Sequence, residues 1–502
     1  MRTALSIFLL LLLLVFAALT GKNNSAILPA ALSDYDFINR EANVIEYNNN
    51  KILQAFYDKW KVEGYSNISI AHFGDSHVQP DYFTSVVRQQ LQQLKGNGGR
   101  GMIFPYAMAK TYSQSDYKSK FTGNWKTANS IQNPPQIPLG VSGFVAQTID
   151  TAASFSILFT KPQPPGPKFI KVYCNKNPTT YQLTVKSRRQ YQTLSFEDAS
   201  DAYVPYVLFY LPETGDTLEF VLQNKRLNNN LFELYGISIE NNAGGVIYHN
   251  LGVGGATYSA VLNQQYFTQQ FPFLAPDLVI LDWGTNDIIY KNKLEADLAG
   301  VVVATINKVR NAYPNTLIML TSVQDMNRKG VNISAAKDFS DLIRTIAFEQ
   351  SCLYYDWYRV AGGAYSMNKW FNNKLAQPDN IHLSVKGYEL KGNLFFEALT
   401  KTLQYYNANR DSCCLVLAPP QPNTLPPVQP AYNEMPPPLN PAPPPVPATK
   451  DISCRYLVKT GDTLTAIARK YAISVKEIMQ WNKLNNEKIM VGQNLLINKK
   501  CR

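Results

Sequence analysis

The sequence predicts a three-layer α/β domain built on a parallel sheet, interrupted by a β-rich insertion and followed at a distance by a small βααβ unit. Three observations predict it. Apolar runs alternate with segments of helical period from about residue 65 to 405, period-two alternation fills much of 105–242, and residues 419–447 contain 14 prolines. In the first region Ile68-Ser69-Ile70-Ala71 reads as a strand, and Phe83, Val87, Leu91 and Leu94 then share one helical face. Leu278-Val279-Ile280, Thr316 to Leu320 and Leu353-Tyr354-Tyr355 read as further strands, separated by helical stretches at Val301–Val309 and Phe339–Phe348. Strand-helix alternation of this kind buries both faces of a parallel sheet under helices. Active sites of such sheets lie at the carboxyl ends of the strands.

In the insertion, Tyr181, Leu183 and Val185 alternate with polar residues, as do Leu218, Phe220 and Leu222. Several such runs between Pro, Gly and Asn turns suggest a sandwich or jelly roll, with Tyr181 and Phe220 as core. The proline-rich stretch favours polyproline II, and at ~3.1 Å per residue it can separate its neighbours by roughly 90 Å. Beyond it, Tyr456-Leu457-Val458 reads as a strand. Leu464, Ile467, Ala468 and Tyr471 make one helix face, Val475, Ile478 and Met479 a second, and Leu495-Leu496-Ile497 a returning strand. So small a unit buries little surface, and Cys454 and Cys501, which bracket it, are the candidate disulfide.

The chain has 502 residues, 45% hydrophobic and 17% charged, which is ordinary for a globular protein with two or three cores. An apolar run from Leu5 to about Leu19 behind Met1-Arg2 fits a signal peptide over residues 1–25, with an uncleaved anchor as the alternative. The expected location is therefore outside the cytoplasm, in the periplasm or cell envelope of a bacterium, with no membrane span once the signal is removed. Export permits disulfides, although Cys174, Cys352, Cys413 and Cys414 find no partner by sequence, and the adjacent pair points to two separate partners. No Cys/His spacing resembles a zinc site, so neither metal nor other cofactor is expected. The net charge of +11 is dispersed along the chain. That pattern speaks for an anionic wall polymer rather than nucleic acid, with a simply solvated basic surface as the alternative.

Four segments carry chemistry. Phe73-Gly74-Asp75-Ser76-His77 follows the first strand and presents a serine hydroxyl above the sheet edge. A serine is inert at neutral pH unless a base takes its proton, and an imidazole needs a carboxylate to fix its tautomer. Among the four histidines, only His382 has an aspartate three residues before it, Asp379, so one tight turn supplies base and orienter. Gly284-Thr285-Asn286-Asp287 follows the Leu278 strand, where the Asn286 amide can donate to a developing oxyanion. Gly252-Val253-Gly254-Gly255-Ala256 offers a backbone N–H for the same oxygen.

Together these blocks resemble the SGNH (GDSL-type) esterase and acylhydrolase superfamily, whose fold is a flavodoxin-like three-layer sandwich. The resemblance implies Ser76 as nucleophile, His382 as general base and acid, and Asp379 as its orienter. It implies an oxyanion hole from the Ser76 N–H, the Gly255 N–H and the Asn286 side chain, with Gly254 as the alternative second donor. Many members have Leu after the serine where this chain has His77. Gly74-Asp75-Ser76-His77, Gly98-Gly99-Arg100-Gly101, the β-rich insertion and Tyr235-Gly236-Ile237-Ser238 together resemble the peptidoglycan O-acetylesterase branch, in which a sandwich related to carbohydrate-binding modules interrupts the hydrolase. That branch removes acetyl from the 6-hydroxyl of N-acetylmuramic acid. Residues 454–501 resemble a LysM domain, which implies recognition of peptidoglycan or another N-acetylglucosamine-containing glycan. Gly461, Asp462, Thr463, Leu464 and Ile489 would line its groove.

The expected organisation is a signal peptide at 1–25 and a hydrolase at 27–104 and 243–410, interrupted by an insertion at 105–242. A linker at 411–452 and a LysM domain at 453–502 complete it. The expected protein is a monomeric, wall-tethered carbohydrate O-acetylesterase. An acetyltransferase, an esterase for another polysaccharide and an inactive wall-binding protein are the alternatives.

Overall fold

The computed structural model describes residues 35–62, 67–176, 180–197, 203–224, 230–418 and most of 454–497. Residues 1–34, 419–453 and Cys501 lie outside the described residues, and with them the expected signal peptide and the Cys454–Cys501 pairing. The chain divides into two units, on either side of Pro419 and Pro420.

Five strands run parallel at the centre of the first unit, in the order Gly245–Gly252, Asn67–Gly74, Leu278–Asp282, Leu317–Thr321 and Leu353–Tyr355. The earliest of them in sequence thus lies between the second and third, which is the flavodoxin-like order. The pleat divides the strand Asn67–Gly74 between two cores. Ile68 and Ile70 face one that contains Phe83, Val87 and Leu91 from the helix Tyr82–Lys95 and Leu394 and Leu399 from the helix Val385–Ala408. Ala71 and Phe73 face the other, with Val302 and Ile306 of Leu298–Ala312 and Phe339 and Ile343 of Ala335–Glu349. Leu94, which shares that helical face by spacing, is exposed at the last turn.

The β-rich insertion is not a body apart. The strand Asn97–Ile103 pairs in parallel with Gly245–Gly252 and antiparallel with Phe232–Asn241. Phe232–Asn241 pairs in turn with Lys168–Cys174 and Phe144–Thr148, so the central sheet continues without a break into the insertion. A second, five-stranded antiparallel sheet of Gln190–Ser195, Tyr181–Ser187, Thr217–Asn224, Ala152–Phe159 and Tyr117–Thr122 faces it. Tyr181, Phe155 and Phe220 are buried between the two sheets, the Phe155 and Phe220 rings stacked 4.6 Å apart. One hydrophobic core runs from these residues to Val302 and Phe339 in the helices that cover the parallel sheet.

The linker also begins later than residue 411. Tyr47 and Leu415 exchange backbone hydrogen bonds of 2.9 Å, Leu415 and Leu417 pack on the core, and Arg344 holds Leu417 O. Residues 413–418 are therefore a strap on the first unit. Among the described residues Cys174 and Cys352 are buried free thiols, and Cys413 and Cys414 are free as well, their sulfurs 3.1 Å apart.

In the second unit the strands Cys454–Leu457 and Asn494–Ile497 pair antiparallel around the helices Leu464–Tyr471 and Val475–Trp481. Val458, Leu464, Ile467, Ala468, Ile478 and Leu495 form its core. Ser474 and Glu477 cap the second helix reciprocally, satisfying two of its free N–H groups. No helix among the described residues is long and apolar enough to cross a membrane.

Candidate active site

Ser76 leaves the carboxyl end of Asn67–Gly74, and Asn286 lies in the short helix Thr285–Ile288 just after Leu278–Asp282. These strands are neighbours at the point where the strand order reverses, the place where open α/β sheets form crevices. Asp75 anchors the turn by accepting the His77 N–H at 2.9 Å through its side chain and the Val78 and Gln79 N–H groups through its carbonyl. Gly74 cannot carry a side chain there, because a Cβ would collide with Val78 and with Asp282 O.

His382 arrives from a loop three hundred residues away. Its Nε2 lies 2.8 Å from Ser76 Oγ and its Nδ1 2.7 Å from Asp379 Oδ2. The other carboxylate oxygen accepts the backbone N–H groups of Ile381 and His382, each at 3.0 Å. Burial pushes the Asp379 carboxyl up, but the bonds from the His382 ring and those two N–H groups outweigh it and hold the group below its ordinary value. Both side chains are partly open to solvent, 41% for Asp379 and 31% for His382.

The glycine turn that follows Gly245–Gly252 closes the site. Val253 N donates to Gly74 O at 3.0 Å, which fixes the turn beside the serine. Gly254 N donates to Gln79 Oε1 at 2.6 Å. Gly255 has φ +88°, and no acceptor among the described residues takes its N–H or that of Ser76. Asn286 Nδ2 donates to Ala256 O at 3.0 Å and reaches Asp75 Oδ2 at 3.4 Å. Burial, aided by the Asp282 charge, pushes the Asp75 carboxyl up to about 7, against the His77 N–H and Lys391. Asp282 itself, on which Lys391, His72 and Thr321 converge, is held below the ordinary carboxylate value although burial opposes this.

Ser76, His382, Gly254 and Gly255 open on a cleft of about 460 Å³ whose walls include Tyr82, Tyr112 and Tyr388. Sequence reasoning missed these tyrosines and Gln79. Gln79 Nε2 donates to Tyr112 O at 2.9 Å, so one buried amide ties the glycine turn to the first loop of the insertion. No local pattern marks that role, since Tyr112 and Gly254 are far apart in sequence.

In the second unit, Tyr456 OH donates to Asp462 Oδ2 at 2.9 Å, and Thr463 Oγ1 accepts the Ala466 N–H at the start of the first helix. Leu464, expected to contact a glycan, instead buries its side chain in the core, because it begins the helix's apolar face. Ile489 is partly buried against the same core, and Gly461 lies outside the described residues.

Comparison with known proteins matches residues 224–390 to the GDSL-like lipase/acylhydrolase family and residues 456–498 to the LysM domain. The chain carries a GDSL-like acylhydrolase domain and a LysM domain. The acylhydrolase match includes Gly255, Asn286, Asp379 and His382, and Ser76 precedes it, across the insertion. A solved structure of a peptidoglycan O-acetylesterase is similar over 74% of this chain and 99% of its own, with TM-score 0.56 and 22% identity. At that identity the likeness establishes the fold. Among curated relatives, the probable endopeptidase p60 of Listeria monocytogenes is 50% identical over 42 residues, and the membrane-bound lytic murein transglycosylase D of Escherichia coli K12 is 48% identical over 42. Each match spans 8% of this chain and about 9% of the relative.

Proposed function

We propose that this protein is an exported serine esterase that removes O-acetyl groups from the N-acetylmuramic acid of peptidoglycan, held on the wall by its LysM domain. The observation that carries the reading is the relay from Ser76 Oγ to His382 Nε2 at 2.8 Å and from His382 Nδ1 to Asp379 at 2.7 Å, opening on a tyrosine-walled cleft. Ser76 Oγ attacks the acetyl carbonyl while His382 Nε2 takes its proton, and Asp379 stabilises the imidazolium. The Ser76 and Gly255 N–H groups and the Asn286 amide receive the oxyanion. Gly255 is preferred to Gly254 because the Gly254 N–H already serves Gln79. His382 then protonates the departing sugar oxygen, and water, activated by the same imidazole, releases acetate from Ser76.

The substrate class draws support from the shared fold with a peptidoglycan O-acetylesterase and from LysM relatives that include a murein transglycosylase. A tether between wall-binding and catalytic parts raises the local concentration of substrate without tighter catalytic binding. The test is acetate release from O-acetylated peptidoglycan, with Ser76→Ala and an acetylated xylan as controls. Release from peptidoglycan that is lost in the variant is the expected result. Release from xylan alone would move the substrate class, and release by Ser76→Ala would remove the triad.

A further inference from the structure

His77 has no part in the relay, yet its ring lies beside that of His382. Its ring lies 5.1 Å from the His382 ring, centroid to centroid, at an angle of 33°. That spacing falls within the range in which aromatic rings attract one another. His77 is buried, whereas His382 and Asp379 sit on a loop that water reaches. The two hydrogen bonds of His382 fix its nitrogens, but neither fixes the face of the ring against tilting out toward solvent. A buried ring behind it does.

His77 is itself held firmly. Its backbone belongs to the Asp75 turn, and its Nδ1 lies 2.9 Å from Tyr388 OH. Tyr388 is nearly parallel to Tyr82 at 5.9 Å and to Phe83 at 6.5 Å, and it rises from the first turn of the helix Val385–Ala408, which Ser384 caps. Leucine, which many related chains have after the serine, could fill this space but would cost the buried Tyr388 hydroxyl its bond to His77 and leave it only the Leu383 backbone.

We propose that His77 is a positioning residue for the proposed esterase reaction: hydrogen-bonded to Tyr388, it backs the face of His382 and holds that ring in line with Ser76. The inference rests on the reading of Ser76 and His382 given above. Burial, with the His382 and Lys391 charges, keeps His77 well below the ordinary histidine value, so it stays uncharged beside the imidazolium that forms on His382. A charged neighbour there would oppose proton uptake by His382, and a neutral, polarisable one does not.

The test uses the full chain and a small neutral chromogenic acetate ester. Misplacing a catalytic group by a fraction of an ångström costs roughly tenfold or more in turnover. His77→Leu and Tyr388→Phe are each expected to lower kcat by about tenfold with KM within about twofold. His77→Leu/Tyr388→Phe should be no worse than His77→Leu alone, because Tyr388 acts through His77. His77→Asn, whose amide replaces Nδ1 and keeps the bond to Tyr388, should recover part of the loss. Additive losses in the double variant, or wild-type kcat in a folded His77→Leu and Tyr388→Phe, would overturn the inference. Thermal unfolding of each variant identifies any that fails to fold, and Tyr388→Phe with His77→Asn then carries the test. Ser76→Ala, run alongside, separates the two levels: activity in it removes the triad, whereas its loss with unaffected His77 variants removes only this inference.

Discussion

Replacing Asp75 by Asn tests the electrostatics under the serine turn. Asp75 is 1% exposed, and its carboxyl is pushed up to about 7 from an ordinary value of 3.8, chiefly by burial. A carboxyl raised in this way is protonated in the folded protein and ionised in the unfolded chain between those two values. Folding then takes up a proton, and stability falls as pH rises from about 4 to about 7. The stability is fully present below pH 4 and is lost above the folded value. At 1.36 kcal/mol per unit, a shift of this size amounts to about 4 kcal/mol at full ionisation. Asn keeps the oxygen that accepts the His77 N–H and has no proton to lose. The assay is urea unfolding of wild type and Asp75→Asn at pH 4.5, 6 and 8.5. The difference between them should change by roughly 3–4 kcal/mol across that range, wild type losing more on the alkaline side. Taking the difference cancels Asp287, which is likewise pushed up to about 7 by burial. Parallel curves would refute the reasoning, since they would mean that Asp75 titrates alike in both states.

Other expectations concern the oxyanion side, the cleft wall and the chain's end. Asn286→Ala should lower kcat on a small acetate ester by on the order of 10²–10³ while the protein still folds; unchanged turnover would make Asn286 a turn residue only. Arg100 Nη2 bonds Asp81 at 3.0 Å, Gln114 at 2.6 Å and Asp116 at 3.0 Å, all within the buried base of the loop that bears Tyr112. Arg100→Met should therefore destabilise the fold by about 3–5 kcal/mol in denaturant unfolding, and an effect under about 1 kcal/mol would show the network to be dispensable. A chain ending at Ala418 should keep its esterase activity and lose sedimentation with insoluble peptidoglycan. One ending at Ser412 should in addition melt earlier, because it lacks the Leu415 and Leu417 strap; equal melting of the two would deny the strap a structural role.

What could be read from the sequence was what is local. Gly74-Asp75-Ser76 after an apolar run, and Asp379 three residues before His382, each place chemistry within a turn, so their geometry follows from short-range rules. The same holds for Leu464, Ile467 and Ala468, whose spacing gives a helix face. For Leu464 that spacing argued for core, and the groove suggested by resemblance was the weaker guide. What could not be read depends on partners distant in the chain. The double glycine leaves its register open in the sequence, and the bond from Gly254 N–H to Gln79, which favours Gly255, joins residues far apart in the chain. Phe232–Asn241 alternates like any sandwich strand, and nothing in it announces pairing with Asn97–Ile103 of the hydrolase layer. Leu94 fits its helical face by spacing, yet its side chain is exposed. His77 looked like a departure from a motif, and its contact with Tyr388 spans most of the chain.

The unbroken sheet has a kinetic consequence. Asn67–Gly74 lies between Gly245–Gly252 and Leu278–Asp282, so both of its edges are completed by strands that follow the whole insertion. A chain emerging from its N-terminus at ~5–20 residues per second leaves that apolar strand unpaired on both sides for on the order of ten seconds. Contacts of such long sequence separation also slow folding itself. Aggregation of nascent or refolding protein is therefore expected to begin at Ile68–Phe73, and a peptide of that sequence added in excess should interfere with refolding while leaving the folded protein untouched.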